Sequence, residues 1–369
     1  MSFALFAALV FLGATGLSLL LVPPSKALAR GLGVLDQPGE RKVHPEPMPR
    51  LGGIAVCLSF TVVVGTGYLL IPYLSELGGA RALLGDPLRL LTDAPKVKTQ
   101  LAAVLSGAVL AFLVGLLDDV LGARFPVRLK ALGQVLAALV LIAADVKTSF
   151  LPYDWMNWLL TLFWLVGMTN AFNLLDNMDG LASGVALVAS AVFLLNAWAL
   201  GEFFISLLLV AFIGSLAGFL RFNFHPASVF LGDCGSHFIG YLMGSLTLLE
   251  RYVSHASSTL FPVLMPVVVL AVPLIDTFTV MVTRVIERRP IYVGDARHLS
   301  HRLVTLGFTQ RGAVLFIYLM TFALGLGAVS LTSASARQSF LLLLQTFGFV
   351  ALLLILMFRE RRKVPRGRR

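Results

Sequence analysis

The chain has 369 residues, of which 58% are hydrophobic and 13% charged, with a mean hydropathy of +0.89. These values exclude an ordinary soluble domain and a disordered chain, and they describe an integral membrane protein. The formal net charge of +10 would also suit nucleic-acid binding. The basic residues, however, cluster beside apolar runs and in the tail RERRKVPRGRR, with no soluble domain to read bases. Retention at the membrane and attraction to anionic headgroups account for them, and no nucleic-acid partner is expected.

A bilayer core about 30 Å thick needs about 20 apolar residues per helix, and roughly eleven such runs follow one another along the chain. They centre on residues 3–23, 51–73, 100–117, 131–147, 156–174, 184–200, 203–220, 237–250, 259–283, 312–332 and 339–358. The runs are continuously apolar and rich in Leu, Ala and Gly, without the period-two alternation of a barrel strand, so the expected fold is an all-α polytopic bundle. Ala27-Leu28-Ala29 resembles a signal-peptide cleavage site. The first run lacks a basic n-region and is too long for one, so it reads as a retained helix. Gly214 with Gly218 and Gly240 with Gly244 have small-xxx-small spacing, which predicts close helix packing. Two cysteines, Cys57 and Cys234, imply no disulfide framework.

Basic residues near helix ends are retained in the cytoplasm. The segments after odd-numbered runs, with the tail, hold 22 of the 29 Lys and Arg, which places the N-terminus outside and the C-terminus in the cytoplasm. On this topology the acids share a side. Asp118 and Asp119 end the third helix, Asp176 and Asp179 the fifth, Asp233 follows the seventh, and His298 and His301 follow the ninth. Adjacent carboxylates at a helix C-terminus meet the negative end of the helix dipole and call for a cation. Asp176 and Asp179, at i, i+3, project from one face if the helix continues. Oxygen ligands without a Cys or His cluster favour Mg²⁺ or Mn²⁺ over Zn²⁺, and magnesium in turn points to phosphate.

Each feature alone has a blander reading. An Asp-Asp pair at a helix end is commonly solvated, Asn170, Asn173 and Asn177 could bond across helices, and Lys130 could be an interfacial anchor. Asp276, inside an apolar run about two turns before Arg284, is a functional candidate because intramembrane acids are costly. No Walker loop, Rossmann fingerprint or nucleophile elbow is present.

In this order DQPGERKVHPEPMPRLGG, GLLDD, NAFNLLDNMDGLASG, NFHPASVFLGDCGS and DARHLSHRLVTLGFTQR resemble the polyprenyl-phosphate N-acetylhexosamine-1-phosphate transferase superfamily. The likeness runs from about Asp36 to Gln310. It is closer to the WecA/TagO branch than to the MraY branch, whose last loop carries consecutive histidines where this chain has Ser300. The resemblance implies one polytopic transferase domain over residues 1–358, with a basic cytoplasmic tail at 359–369. It sets the protein in a bacterial inner (plasma) membrane with the site on the cytoplasmic side.

The implied reaction passes the sugar-1-phosphate of a UDP-N-acetylhexosamine to a polyprenyl phosphate such as undecaprenyl phosphate, releasing UMP, with Mg²⁺ as cofactor and Mn²⁺ as substitute. GlcNAc is the expected sugar, and the product lipid begins an envelope glycan such as teichoic acid or lipopolysaccharide. A MurNAc-pentapeptide donor is the alternative within the superfamily, and a lipid or solute transporter is the alternative outside it. A homodimer is left open.

The resemblance also implies roles. Asp233 is a Mg²⁺ ligand, with Asp118 and Asp119 at the metal and the lipid phosphate. Asp176, Asp179, Asn223 and Phe230 lie toward the nucleotide, with a ring for uracil and amide and acid groups for base and ribose, and Asn173 is a further substrate-binding residue. Lys130 contacts phosphate. His298 and His301, with Arg297 and Arg302, bind pyrophosphate or sugar, Asp276 joins the substrate-binding set, and Lys42, His44 and Arg50 serve the lipid phosphate or close over the site.

Overall fold

A computed structural model describes residues 3–38, 46–76, 95–253, 260–288 and 298–359. Lys42, His44, Arg297 and most of the basic tail lie outside the described residues. The chain forms two compact units, residues 1–251 and 252–369.

The first unit is built from α1 (Phe3–Gly31), α2 (Gly53–Glu76), α3 (Pro95–Leu121), α4 (Val127–Ala143), α5 (Asp154–Leu175), α6 (Leu181–Ala199), α7 (Phe203–Asn223) and α8 (Gly232–Leu249). Each coincides with one of the first eight apolar runs. Helix α8 is the hub, buried almost throughout and packed against α2, α3, α5, α6 and α7. Small residues make this possible. A Cβ on Gly240 would stand 2.6 Å from the Met168 carbonyl oxygen of α5, and one on Gly218 would stand 2.6 Å from that of Thr15 in α1. Both small-xxx-small stretches are therefore helix contacts, and Ser18 Oγ donates across the α1–α7 seam to the Ser215 carbonyl at 2.8 Å. Phe60, Phe212 and Phe238 meet edge to face between α2, α7 and α8. Helix α1 packs along α7 and α2 as a member of the bundle. Cys57 and Cys234 are buried free thiols.

Between α1 and α2 an all-helical expectation misses one element. Strands β1 (Leu35–Asp36) and β2 (Met48–Pro49) pair antiparallel. Two residues each are too few to be read as strands from a pattern. They carry the chain to Arg50 at the head of α2.

In the second unit the ninth apolar run is not one helix. A 3₁₀ turn (Phe261–Leu264) and α9 (Met265–Val269) meet α10 (Ala271–Ile286), and the pair bends by 68°. Pro273 explains the break, since it has no N–H for the Val269 carbonyl four residues back. Then come α11 (Leu299–Thr305), α12 (Gln310–Ser330) and α13 (Ala336–Arg359), with α12 touching each of the other four helices. Among the described residues seven helices are long and apolar enough to cross a membrane, or eight if the bent pair is one span. The described residues thus establish fewer than the roughly eleven spans expected. Helix α4, at 17 residues, would reach about 26 Å at 1.5 Å per residue, and α8 carries Asp233 and His237 on its turns.

Candidate active site

Four sequence-distant segments meet at one end of the first unit. Helix α8 begins there at Gly232, whose φ of +76° and lack of a Cβ let it lie against the Arg50 carbonyl. The turn before it is tied to the start of α2 by backbone bonds. Phe230 N–H donates to the Pro49 carbonyl at 2.8 Å, Gly52 N–H to Phe230 at 3.0 Å and Gly53 N–H to Leu231 at 2.8 Å. Arg50 and Asp233 are therefore neighbours by main-chain geometry.

Asp119, from the last turn of α3, turns both carboxylate oxygens onto the first turn of α8. Asp233 N–H donates to Oδ1 at 3.0 Å and Cys234 N–H to Oδ2 at 2.9 Å. The negative charge satisfies two amides that a helix N-terminus leaves without partners and complements its dipole. Its side chain is fully buried.

Asp118, the next residue back, stays at the surface of the cluster. Lys130 Nζ lies 2.6 Å from Asp118 Oδ2 and 2.9 Å from Asp233 Oδ2, and donates to Asn173 Oδ1 at 3.4 Å. Asn173 Nδ2 donates to Asp233 Oδ1 at 3.1 Å and Ser236 Oγ at 2.9 Å. The Arg50 guanidinium stands 3.5 Å from Asp119, 3.7 Å from Asp233 and 3.8 Å from Asp36. Burial opposes its charge, but Asp119, Asp233, Asp36 and Asp176 outweigh it and hold Arg50 above the usual arginine range.

Asp176 ends α5 and makes no side-chain hydrogen bond to the described residues. Burial, with the negative fields of Asp233, Asp119 and Asp179, pushes its carboxyl up to about 8, against Arg50. Asp179 is occupied elsewhere. Its Oδ2 accepts from His225 Nδ1 at 2.8 Å and Ala227 N–H at 3.1 Å, holding the loop that leads to Phe230. Asn223, expected to meet the nucleotide, is buried under the same loop. It accepts from Ser183 Oγ at 2.9 Å and donates to the Val229 carbonyl at 3.0 Å. Both residues thus shape the Phe230 loop, and the Phe230 ring stays partly exposed.

In the second unit Asp276, 1% exposed, accepts from His298 Nδ1 at 2.7 Å and Leu299 N–H at 2.7 Å. The carboxylate thus gathers the His298 ring and the first backbone N–H of the following helix. Asp276, expected among the substrate-binding residues, here orients the His298 ring. The His301 ring lies 6.4 Å from that of His298. Burial, with His298, lowers the His301 pKa, against Asp276. Arg302 is buried on the first turns of α11.

Four carboxylates, Asp118, Asp119, Asp176 and Asp233, surround two cations, Arg50 and Lys130. Among the described residues no three His, Cys, Asp or Glu side chains form a metal cage. Asp118 and Asp233, bridged by an exchangeable lysine, instead fit an ion that takes one or two carboxylates and completes its shell from phosphate, as Mg²⁺ does. Asp36, Ser236 and His225 are site neighbours that the sequence did not single out.

The model of the family described as Glycosyl transferase family 4 matches residues 101–250, the stretch from α3 to the end of α8. The chain is similar to a probable undecaprenyl-phosphate N-acetylglucosaminyl 1-phosphate transferase of Bacillus subtilis (strain 168), 34% identical over 326 residues, 86% of this chain and 82% of that protein. It is also similar to the decaprenyl-phosphate N-acetylglucosaminephosphotransferase of Mycobacterium tuberculosis (strain CDC 1551 / Oshkosh), 31% identical over 88% of this chain and 82% of that protein. A phospho-N-acetylmuramoyl-pentapeptide-transferase of Bacillus subtilis (strain 168) is 29% identical over 65% of this chain and 73% of its own length. The chain belongs to glycosyl transferase family 4, within the polyprenyl-phosphate N-acetylhexosamine-1-phosphate transferase superfamily on its WecA/TagO-like side, and is a membrane glycosyl-1-phosphate transferase.

Proposed function

We propose that the protein transfers GlcNAc-1-phosphate from UDP-GlcNAc to a polyprenyl phosphate of the undecaprenyl type, releasing UMP, at the cytoplasmic face of a bacterial plasma membrane. The observation that carries this reading is the convergence of Asp118, Lys130, Asn173, Asp233 and Arg50 at one end of the bundle. Support for the sugar and the acceptor lies in the names of the N-acetylglucosaminyl-phosphate-transferring relatives, which cover most of the chain. The cytoplasmic side follows from the concentration of Lys and Arg at that end.

Both substrates are polyanions, so the site must present positive charge where phosphoryl transfer builds negative charge. Lys130 and Arg50 supply it by exchanging their carboxylate partners for phosphate oxygens. Asp118 and Asp233 would hold Mg²⁺, which when bound neutralises the pyrophosphate. Released from Lys130, Asp118 is also placed to orient the incoming lipid phosphate. Asp119 keeps the first turn of α8, and hence Asp233, in place. Phe230 offers a face to uracil, on a loop fixed by Asn223 and Asp179. In the second unit Asp276 holds the His298 ring through its Nδ1.

The test is UMP release by purified protein in detergent with undecaprenyl phosphate and Mg²⁺, offering UDP-GlcNAc and UDP-MurNAc-pentapeptide in parallel. The reading expects UMP from UDP-GlcNAc alone, abolished by EDTA. Release from the pentapeptide donor alone overturns the sugar, and release undiminished by EDTA overturns the metal.

A further inference from the structure

One turn deeper in the bundle than Lys130, Asn173 and Asp233, the same three helices carry a second set of polar side chains. Gln134 follows Lys130 by four residues on α4, Asn170 precedes Asn173 by three on α5, and His237 follows Asp233 by four on α8. At 100° per residue these spacings keep both members of each pair on one helix face. The deeper set is joined to itself. Asn170 Nδ2 donates to Gln134 Oε1 at 2.8 Å and to the Val166 carbonyl at 2.8 Å. Gln134 Nε2 reaches Asn170 Oδ1 at 3.4 Å and His237 Nε2 at 3.4 Å. Since an amide nitrogen only donates, His237 Nε2 accepts and its proton lies on Nδ1. That nitrogen has no partner of good geometry, and the ring's weak backbone interaction is with Ala111 of α3. His237 is fully buried and Gln134 4% exposed.

Polar groups at this depth are costly unless paired, and an apolar layer would serve packing alone. The two layers also differ in a way that matters for turnover. The outer one consists of ion pairs, Lys130 with Asp118 and Asp233, which phosphate must disrupt. The inner one is made of two amides and an imidazole bonded to one another. We propose that Gln134, Asn170 and His237 are positioning residues that keep α4, α5 and α8 in rotational register, so that Lys130, Asn173 and Asp233 stay converged while substrate breaks the outer ion pairs. This rests on the transfer reaction assigned above.

The experiment compares His237→Leu, His237→Gln and the triple variant Q134L/N170L/H237L with the unaltered protein, reading kcat, KM for the UDP-sugar and Tm in detergent. The triple variant leaves no orphaned polar group, so its Tm should stay within a few degrees of the parent. Its kcat should fall by about tenfold or more with KM changed less than about threefold, the pattern of an interaction needed in the transition state. His237→Gln keeps an acceptor for Gln134 and should retain most of the kcat that His237→Leu loses. A folded triple variant with parental kcat overturns the proposal, as does equal turnover by His237→Leu and His237→Gln. The single variants decide the matter if the triple one does not fold. Failure of the unaltered protein to use UDP-GlcNAc strikes the donor assignment, and the same comparison then runs on whichever UDP-sugar it does turn over.

Discussion

Asp118 and Asp119 are adjacent and chemically identical, yet their surroundings divide the work. Asp119 caps a helix 114 residues away, and Asp118 pairs with Lys130 at the edge of the cluster. Asp119→Asn turns an NH₂ donor toward one of the two N–H groups, so it should lower Tm, by about 1–3 kcal/mol in stability, and kcat together. Asp118→Asn removes one of several crowded negative charges, so it should lower kcat by about 100-fold or more with Tm unchanged or raised. Thermal melts beside UMP-release kinetics separate the two. Asp176 adds a pH dependence. Its folded pKa of about 8 lies above the ordinary 3.8, so the unfolded chain loses this proton first as pH rises. The Mg²⁺-free protein should therefore lose stability between about pH 4 and pH 8 through this group. Asp176→Asn should flatten that slope, melting above the parent at pH 8 and level with it near pH 4; parallel melting curves would exclude the effect.

At the scale of the elements, the apolar runs were readable as helices because hydrophobic length is a local property. The break at Pro273 was available in the sequence too, but a run that stays apolar on both sides hides it. The close approaches at Gly218 and Gly240 were expected, while their partners, α1 and α5, were not. A methyl at Gly240 meets backbone, which cannot swing aside as a side chain can. Gly240→Ala should cost about 1–3 kcal/mol, the usual range for overpacking. Gly65→Ala, on α2 with nothing within 4 Å of the added atom, should leave Tm unchanged or slightly higher. Paired melts of the two variants check this. The inner polar layer was likewise present as i, i+3 and i, i+4 spacings, but nothing in one helix's sequence says which other helix its amides will meet.

For the molecule as a whole, the charge asymmetry gives an orientation that can be measured directly. Both native cysteines are buried, so an impermeant maleimide should meet little background. A cysteine replacing exposed Ala123, between α3 and α4, should be labelled only from the cytoplasmic side. One replacing Tyr153, 61% exposed at the head of α5, should be labelled only from outside. The reverse pattern would invert the topology, and with it the face at which a cytosolic nucleotide donor is taken up.

The membrane class, the position of the helices and the order of the family's motifs were determined by the sequence by itself, because each depends on composition or on residues within a few positions of one another. The chemistry-bearing residue types were legible for the same reason: acids, amides and a lysine at helix ends stand out against an apolar background. The division of roles among them was decided only in three dimensions. Asp119 became a helix cap, Asp276 the orienter of His298, Asn223 and Asp179 the supports of the Phe230 loop, and Lys130 the bridge between Asp118 and Asp233. Each depends on partners as far as 115 residues away, and a carboxylate's function follows from which donor reaches it, which local spacing does not encode.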